Sequence, residues 1–189
     1  YVYYVKYFKS KYYIYAIILF VLSLLSKGQA VSLAVSLFAV DYLFERKILS
    51  KKVLLEKLPF LVLALIFGII AIKAQKVGNA LLDVDSYEFY KRIGFAGYAF
   101  TQYIAKLLVP VGLSAINPYP DIINKSIPGY YWLFLVPAIA SVLAFFYFLK
   151  RSRIISFCIA FFIINIFLLL QLIPVGSAIW ADRYSYIPS

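Results

Sequence analysis

The chain has 189 residues, of which 65% are hydrophobic, 20% aromatic and only 14% charged, with a mean hydropathy of +0.89. Soluble domains carry charge on about a quarter of their residues, so this composition excludes an ordinary soluble fold and points to an all-α polytopic membrane protein. The net charge of +11 is split into short clusters between apolar runs, which is a topology signal and argues against a nucleic-acid partner.

The first two apolar runs predict helices over 12–26 and 29–44. As one helix they would be roughly 50 Å long against about 30 Å of hydrocarbon, so a tight turn at Ser26-Lys27-Gly28-Gln29 fits better. Asp41 lies near the end of the second helix beside Tyr42 and Glu45. It reads first as an interfacial carboxylate in reach of Arg46 and Lys47, and second as a proton-relay group. A third helix is expected over 58–74. The long segment that follows holds an amphipathic pattern over 87–108, closed by Pro110 and Gly112. Its polar residues Glu88, Lys91, Arg92, Gln102 and Lys106 fall near one stripe, which suits an interfacial helix on the outer surface.

Asp83, Asp85 and Glu88 form an acidic patch that fits a solvated loop better than a metal cage, because no further oxygen ligands stand behind it. Asn117-Pro118-Tyr119-Pro120 is a rigid extended or turn segment, since each Pro fixes φ and biases its predecessor away from helix. The last two helices are expected over 130–149 and 154–172. These two reach the length of about 20 residues that a span needs, whereas the first three need flanking side chains or local thinning.

Three basic clusters orient the helices. Lys6, Lys9 and Lys11 precede the first helix; Arg46, Lys47, Lys51, Lys52 and Lys57 follow the second; Lys150, Arg151 and Arg153 separate the last two. All three fall on the cytoplasmic side if five spans alternate, starting from inside. That places Lys27, the segment 73–129 and the stretch after residue 172 outside. The chain contains no His, so any general base must be Asp, Glu, Lys or Tyr. Its one cysteine, Cys158, excludes a disulfide framework and a Cys metal cluster.

Two outer features carry candidate chemistry. Lys27 is either a lysine reaching from a short helix to the interface or an ammonium that meets a phosphate-bearing ligand. Asp182 and Arg183 form either an exposed ion pair, worth under about 1 kcal/mol, or a site in which Arg183 grips a phosphate with its planar fork. Tyr184 and Tyr186 face one way in an extended segment, as members of an aromatic belt or as walls of a pocket. The chain has no starting Met and no Met at all, which raises the expectation of an internal piece of a larger protein.

Leu24-Leu25-Ser26-Lys27-Gly28-Gln29-Ala30, Val40-Asp41-Tyr42-Leu43, Asn117-Pro118-Tyr119-Pro120 and Ala181-Asp182-Arg183-Tyr184-Ser185-Tyr186-Ile187-Pro188 occur in this order. Together they resemble the membrane part of bacterial relatives of the transmembrane-and-TPR protein O-mannosyltransferases, within the GT-C glycosyltransferases. Gly28-Gln29 stands where that family often has a turn Pro. The resemblance spans nearly all of residues 1–189, as part of one GT-C-like membrane domain.

It implies transfer of a sugar, mannose in the named relatives, from a polyprenyl-phosphate donor to a protein or glycan acceptor on the outer face of the bacterial inner membrane. Lys27, Asn117, Tyr119, Asp182, Arg183, Tyr184 and Tyr186 would bind substrate. The catalytic acid would lie upstream of Tyr1 and TPR repeats downstream of Ser189. No metal ligand is expected within the chain, and a divalent cofactor stays open. The alternatives are an O-antigen ligase or polymerase, a flippase for a lipid-linked glycan, and an inactive scaffold. The charges gathered at helix ends and the lack of internal repeats count against the flippase.

Overall fold

A computed structural model of the chain describes residues 1–77, 88–119, 127–170, 172 and 178–181, the side chains of 75–77 excepted. The described part is mostly helical. Helix α1 covers Val2–Tyr7 and ends at Phe8 in the left-handed conformation. Next come α2 (Ser10–Ser26), a 3-10 turn at Gly28–Ala30 and α3 (Val31–Leu43), followed by α4 (Lys51–Val77) and α5 (Phe89–Leu108). A two-residue strand β1 (Asn117–Pro118) precedes a 3-10 segment at Gly129–Phe134 that runs into α6 (Leu135–Phe148). Helix α7 (Arg153–Phe167) and strand β2 (Ala178–Trp180) complete the order.

Every helix expected from the apolar runs is present, but their lengths differ from expectation. Two segments, Lys51–Ala74 and Gly129–Phe148, are long and apolar enough to cross a membrane, rather than the five expected. Ser10–Ser26, Gly28–Leu43 and Arg153–Phe167 are apolar but shorter. The last helix stops at Phe167 rather than 172, because the chain turns to lay Leu169 and Leu170 against the core around α5. The faces of α4 and α6 that carry Leu65, Ile70, Leu143 and Phe146 are exposed, as suits helices that meet apolar surroundings.

Helix α4 starts well before residue 58. The Ser50 hydroxyl accepts from the Val53 amide at 3.4 Å, and this cap opens the helix ahead of the apolar run. Pro59 then sits inside the helix and contributes no N–H to the carbonyl of Leu55. On the adjacent residue the Tyr13 hydroxyl of α2 donates to the Glu56 carbonyl at 2.8 Å, so a neighbouring helix supports the backbone where the proline interrupts it.

Side-chain contacts make the bundle alternate in direction. At one end Tyr4 of α1 reaches Glu56 of α4, the Tyr42 hydroxyl donates to the Leu149 carbonyl at 2.7 Å, and Glu45 pairs with Arg153. At the other end Ser32, at the start of α3, meets Asn165, near the end of α7. A Cβ on Gly28 would lie 3.3 Å from that of Ala71, which puts the α2–α3 turn beside the far half of α4. The three basic clusters therefore share one end of the molecule, and Lys27 lies at the opposite end.

The contact between α3 and α7 is polar at its centre. Ser32 donates to Asn165 Oδ1 at 2.8 Å, while Asn165 Nδ2 donates to Ser36 Oγ at 3.0 Å and to the Phe161 carbonyl at 2.8 Å; all three side chains are buried. Small residues bring the helices close enough for these bonds. Asn165→Ala is expected to lower stability by about 1–2 kcal/mol, read as a lower unfolding temperature in mild detergent.

Helix α5 does not lie loosely over the bundle. Gly94, Phe95, Gly97, Ala99, Phe100 and Tyr103 form its buried face. A Cβ on Gly97 would meet Leu135 Cδ2 at 2.7 Å and the Leu135 backbone nitrogen at 3.1 Å, so glycine allows α5 to press against the start of α6. The core built there joins Phe95, Phe100 and Tyr103 to Tyr119, Ile166 and Trp180.

Candidate functional site

The two strands join segments that lie far apart in sequence. β1 and β2 pair antiparallel, with Asn117 opposite Trp180 and Pro118 opposite Ala178. Residue Ala181 is 1% exposed, and its backbone N–H donates to the Tyr103 hydroxyl at 3.3 Å. The Trp180 and Tyr103 rings meet edge to face with centroids 6.2 Å apart. The chain is thereby fixed against α5 up to the residue before Asp182. Asp182, Arg183, Tyr184 and Tyr186 themselves lie outside the described residues, as do Asp83 and Asp85.

Asn117 is half-buried, and its Nδ2 is buried with no hydrogen-bond acceptor among the described residues. An amide donor placed so is costly unless an acceptor completes it. Tyr119 has a different environment. Its ring is 7% exposed and packs edge to face on Phe95 at 5.2 Å, so it belongs to the core that supports the turn.

Lys27 is exposed at the C-cap of α2, in an extended conformation that lets its carbonyl accept from the Ala30 amide. Ile166, one residue after Asn165, packs in the same core as Trp180 and Tyr119. Lys27 and the β1–β2 pair therefore occupy the same end of the bundle. Beside α2, α3 and α4 lies an apolar groove of about 190 Å³, whose lining runs from Tyr1 and Phe60 through Phe20 and Leu37 to Ser23 and Leu33. Ser23 stands one helical turn before Lys27, so the groove extends from Tyr1 at the basic end toward the Lys27 end.

A second polar cluster lies at the basic end. Asp41 is fully buried, with Arg46 Nη1 3.0 Å from its Oδ1 and the Tyr1 hydroxyl within 3.1 Å. Lys57 donates to the other carboxylate oxygen and to the Tyr1 hydroxyl. Arg46 Nη2 reaches Glu56 at 2.6 Å, and the Tyr4 hydroxyl donates to the same carboxylate at 2.8 Å. The reading of Asp41 as a partner for the basic cluster holds for Arg46.

Lys57 corrects the sequence reading. It is not a loop charge at the edge of a span but a fully buried residue within α4, because the helix begins six residues earlier. Burial pushes the Tyr4 phenol up to about 12, helped by its bond to Glu56. For Arg46, burial acts to lower its pKa, but the bonds to Glu56 and Asp41 outweigh it and hold the guanidinium above its ordinary range. Two acids balance two bases here, so the cluster is neutral as a set, closed on itself and built to hold α1, α3 and α4 together.

Among the described residues no group of three Cys, Asp or Glu converges as a metal site. Sequence reasoning overlooked Asn165, Ser32, Tyr103 and the strand pairing. A lone Asn inside the apolar run 154–172 is the signal that would have found the first of these. No protein-family model, curated protein or solved structure matches the chain.

Proposed function

We propose that the chain is part of a GT-C-type membrane glycosyltransferase that takes a sugar from a polyprenyl-phosphate donor. The observation that carries this reading is the β1–β2 pairing. It brings the Asn117 turn, with its uncompleted amide donor, beside the chain that leads into Asp182 and Arg183, at the same end of the bundle as Lys27.

In this reading all five apolar helices cross the bilayer, the three short ones with flanking polar and aromatic groups at the interface. The basic end faces the cytoplasm and the Lys27 end faces out, in a bacterial inner membrane. The groove beside α2 takes part of the donor's apolar tail, while Lys27 and Arg183 meet its phosphate. As the bond from sugar to phosphate breaks, negative charge grows on the leaving phosphate. Fixed cations in a partly dry site stabilise that charge more in the transition state than before it. Tyr184, Tyr186 and Asn117 border the phosphate site, and Tyr119 holds the turn from behind.

The test is sugar transfer from a polyprenyl-phosphate donor by the whole protein in native membranes. Lys27→Ala and Arg183→Ala are each expected to lower the rate by about tenfold or more, with the protein still folded. Transfer that continues unchanged in both variants overturns the phosphate site. A folded wild-type protein that transfers from no donor overturns the transferase reading.

A further inference from the structure

Helix α5 ends in a segment that the proposed transfer does not use. Leu107, Leu108, Val109, Val111, Leu113 and Ile116 are all exposed, Leu108 by 75% and Val111 by 68%. Six large apolar side chains within ten residues form a concentrated patch rather than the scattered exposure normal for a surface. The backbone between them is organised. Gly112 takes a left-handed φ of 63°, and Lys106 donates to the carbonyls of Val111 and Gly112. The Ser114 hydroxyl donates to the Ile116 carbonyl at 2.9 Å. These bonds occupy carbonyls that would otherwise face apolar surroundings without a donor.

The position of α5 in the bundle indicates what covers this patch. Gly97 lies against Leu135, the Thr101 hydroxyl donates to the Phe134 carbonyl at 3.0 Å, and Phe100 packs on Phe162 at 5.6 Å. Helix α5 thus crosses the bundle at the level where α6 begins. Near its start the Tyr90 and Trp132 rings stack at 6.3 Å and are partly exposed, as aromatic side chains are at a membrane–water boundary. Across the described stretch 88–119 the chain carries Lys91, Arg92 and Lys106 against one acidic residue, Glu88 at the N-cap of α5, and is basic on balance. That charge suits anionic headgroups.

We propose that residues 107–116 form an apolar hook that inserts into the headgroup–acyl boundary of an anionic bilayer. The proposal rests on the reading that α6 crosses that bilayer. Lys106 ties the hook's carbonyls, Gly112 turns it, and the leucines and valines enter the acyl region. The hook anchors α5 and, through the core around Tyr103, steadies the strand pair beside the proposed phosphate site.

The test uses the whole protein with Cys158→Ala and single cysteines from Leu108→Cys, Leu113→Cys and, on the exposed face of α6, Leu143→Cys. Each carries a polarity-sensitive fluorophore in phosphatidylglycerol-containing vesicles. Lipid-borne nitroxides are expected to remove about half or more of the emission at all three positions, with shallow nitroxides most effective at 108 and 113. Quenching at 143, with 108 and 113 quenched only by aqueous iodide, overturns the hook and leaves the spanning helix intact. Shielding of 108 and 113 from both quenchers also overturns it, in favour of a protein partner. Failure of lipid quenching at 143 removes the bilayer reading and the hook with it.

Discussion

Asp41→Ala is expected to cost about 3–5 kcal/mol, the largest effect of any single substitution in the basic-end cluster. The carboxylate is the shared acceptor for Lys57, Arg46 and the Tyr1 hydroxyl, and neither it nor Lys57 is exposed. Removing it leaves Lys57 buried without its counter-charge. Arg46 keeps Glu56 and stays charged, so it cannot relieve the imbalance by losing a proton.

The double variant Asp41→Asn with Lys57→Met removes both charges and is expected to recover most of the loss, since the amide oxygen can still accept from Tyr1 and Arg46 and no buried lysine is left unpaired. Thermal unfolding in mild detergent, followed by circular dichroism, separates the two outcomes. A single Asp41→Ala variant as stable as the wild type would mean that the cluster is hydrated and contributes little.

Tyr103→Ala is expected to lower stability by about 3–5 kcal/mol, in the range of other buried aromatic truncations. The ring is fully buried at the centre of the α5 core, against Trp180, and its hydroxyl accepts from the Ala181 amide at 3.3 Å. Tyr103→Phe keeps the ring and removes only that hydroxyl, so its cost should be about 1 kcal/mol. The pair distinguishes packing from hydrogen bonding. The alanine variant should also expose the chain at 178–181, read as faster proteolysis there, because α5 no longer holds β2 in place. Equal stability of the alanine and phenylalanine variants would show that the ring is not a core element.

The helices were legible because apolar runs separated by charges and glycine mark both kinds of segment at once. Their ends were less so. Lys57 looked like the edge of a loop, since a charge beside an apolar run usually is one; only the position of Asp41 across the bundle makes it an interior residue. The apolar run set the start of the third helix at residue 58, yet the cap at Ser50 comes eight residues earlier, and Tyr13 supports the backbone that Pro59 interrupts. The strands bring Asn117 opposite Trp180, while the motif after Ala181 that was grouped with it lies outside the described residues. No local pattern reveals a pairing across sixty residues, and none distinguishes Tyr119, which turned inward, from Asn117 two positions away. Asn165 lacked any companion in sequence because its partners, Ser32 and Ser36, sit on another helix.

The gathering of Lys6, Lys9, Lys11, Arg46, Lys47, Lys51, Lys52 and Lys150 to Arg153 at one end has an electrical consequence. A membrane holding a potential does about 2.3 kcal/mol of work per 100 mV on each elementary charge that crosses it. Asp41, Glu56, Arg46 and Lys57 cancel one another and feel almost none of that work as a group. The remaining cations add their terms with a single sign. In the orientation proposed above, with this end toward the cytoplasm, turning the molecule over in an energised membrane would climb a barrier that rises with voltage.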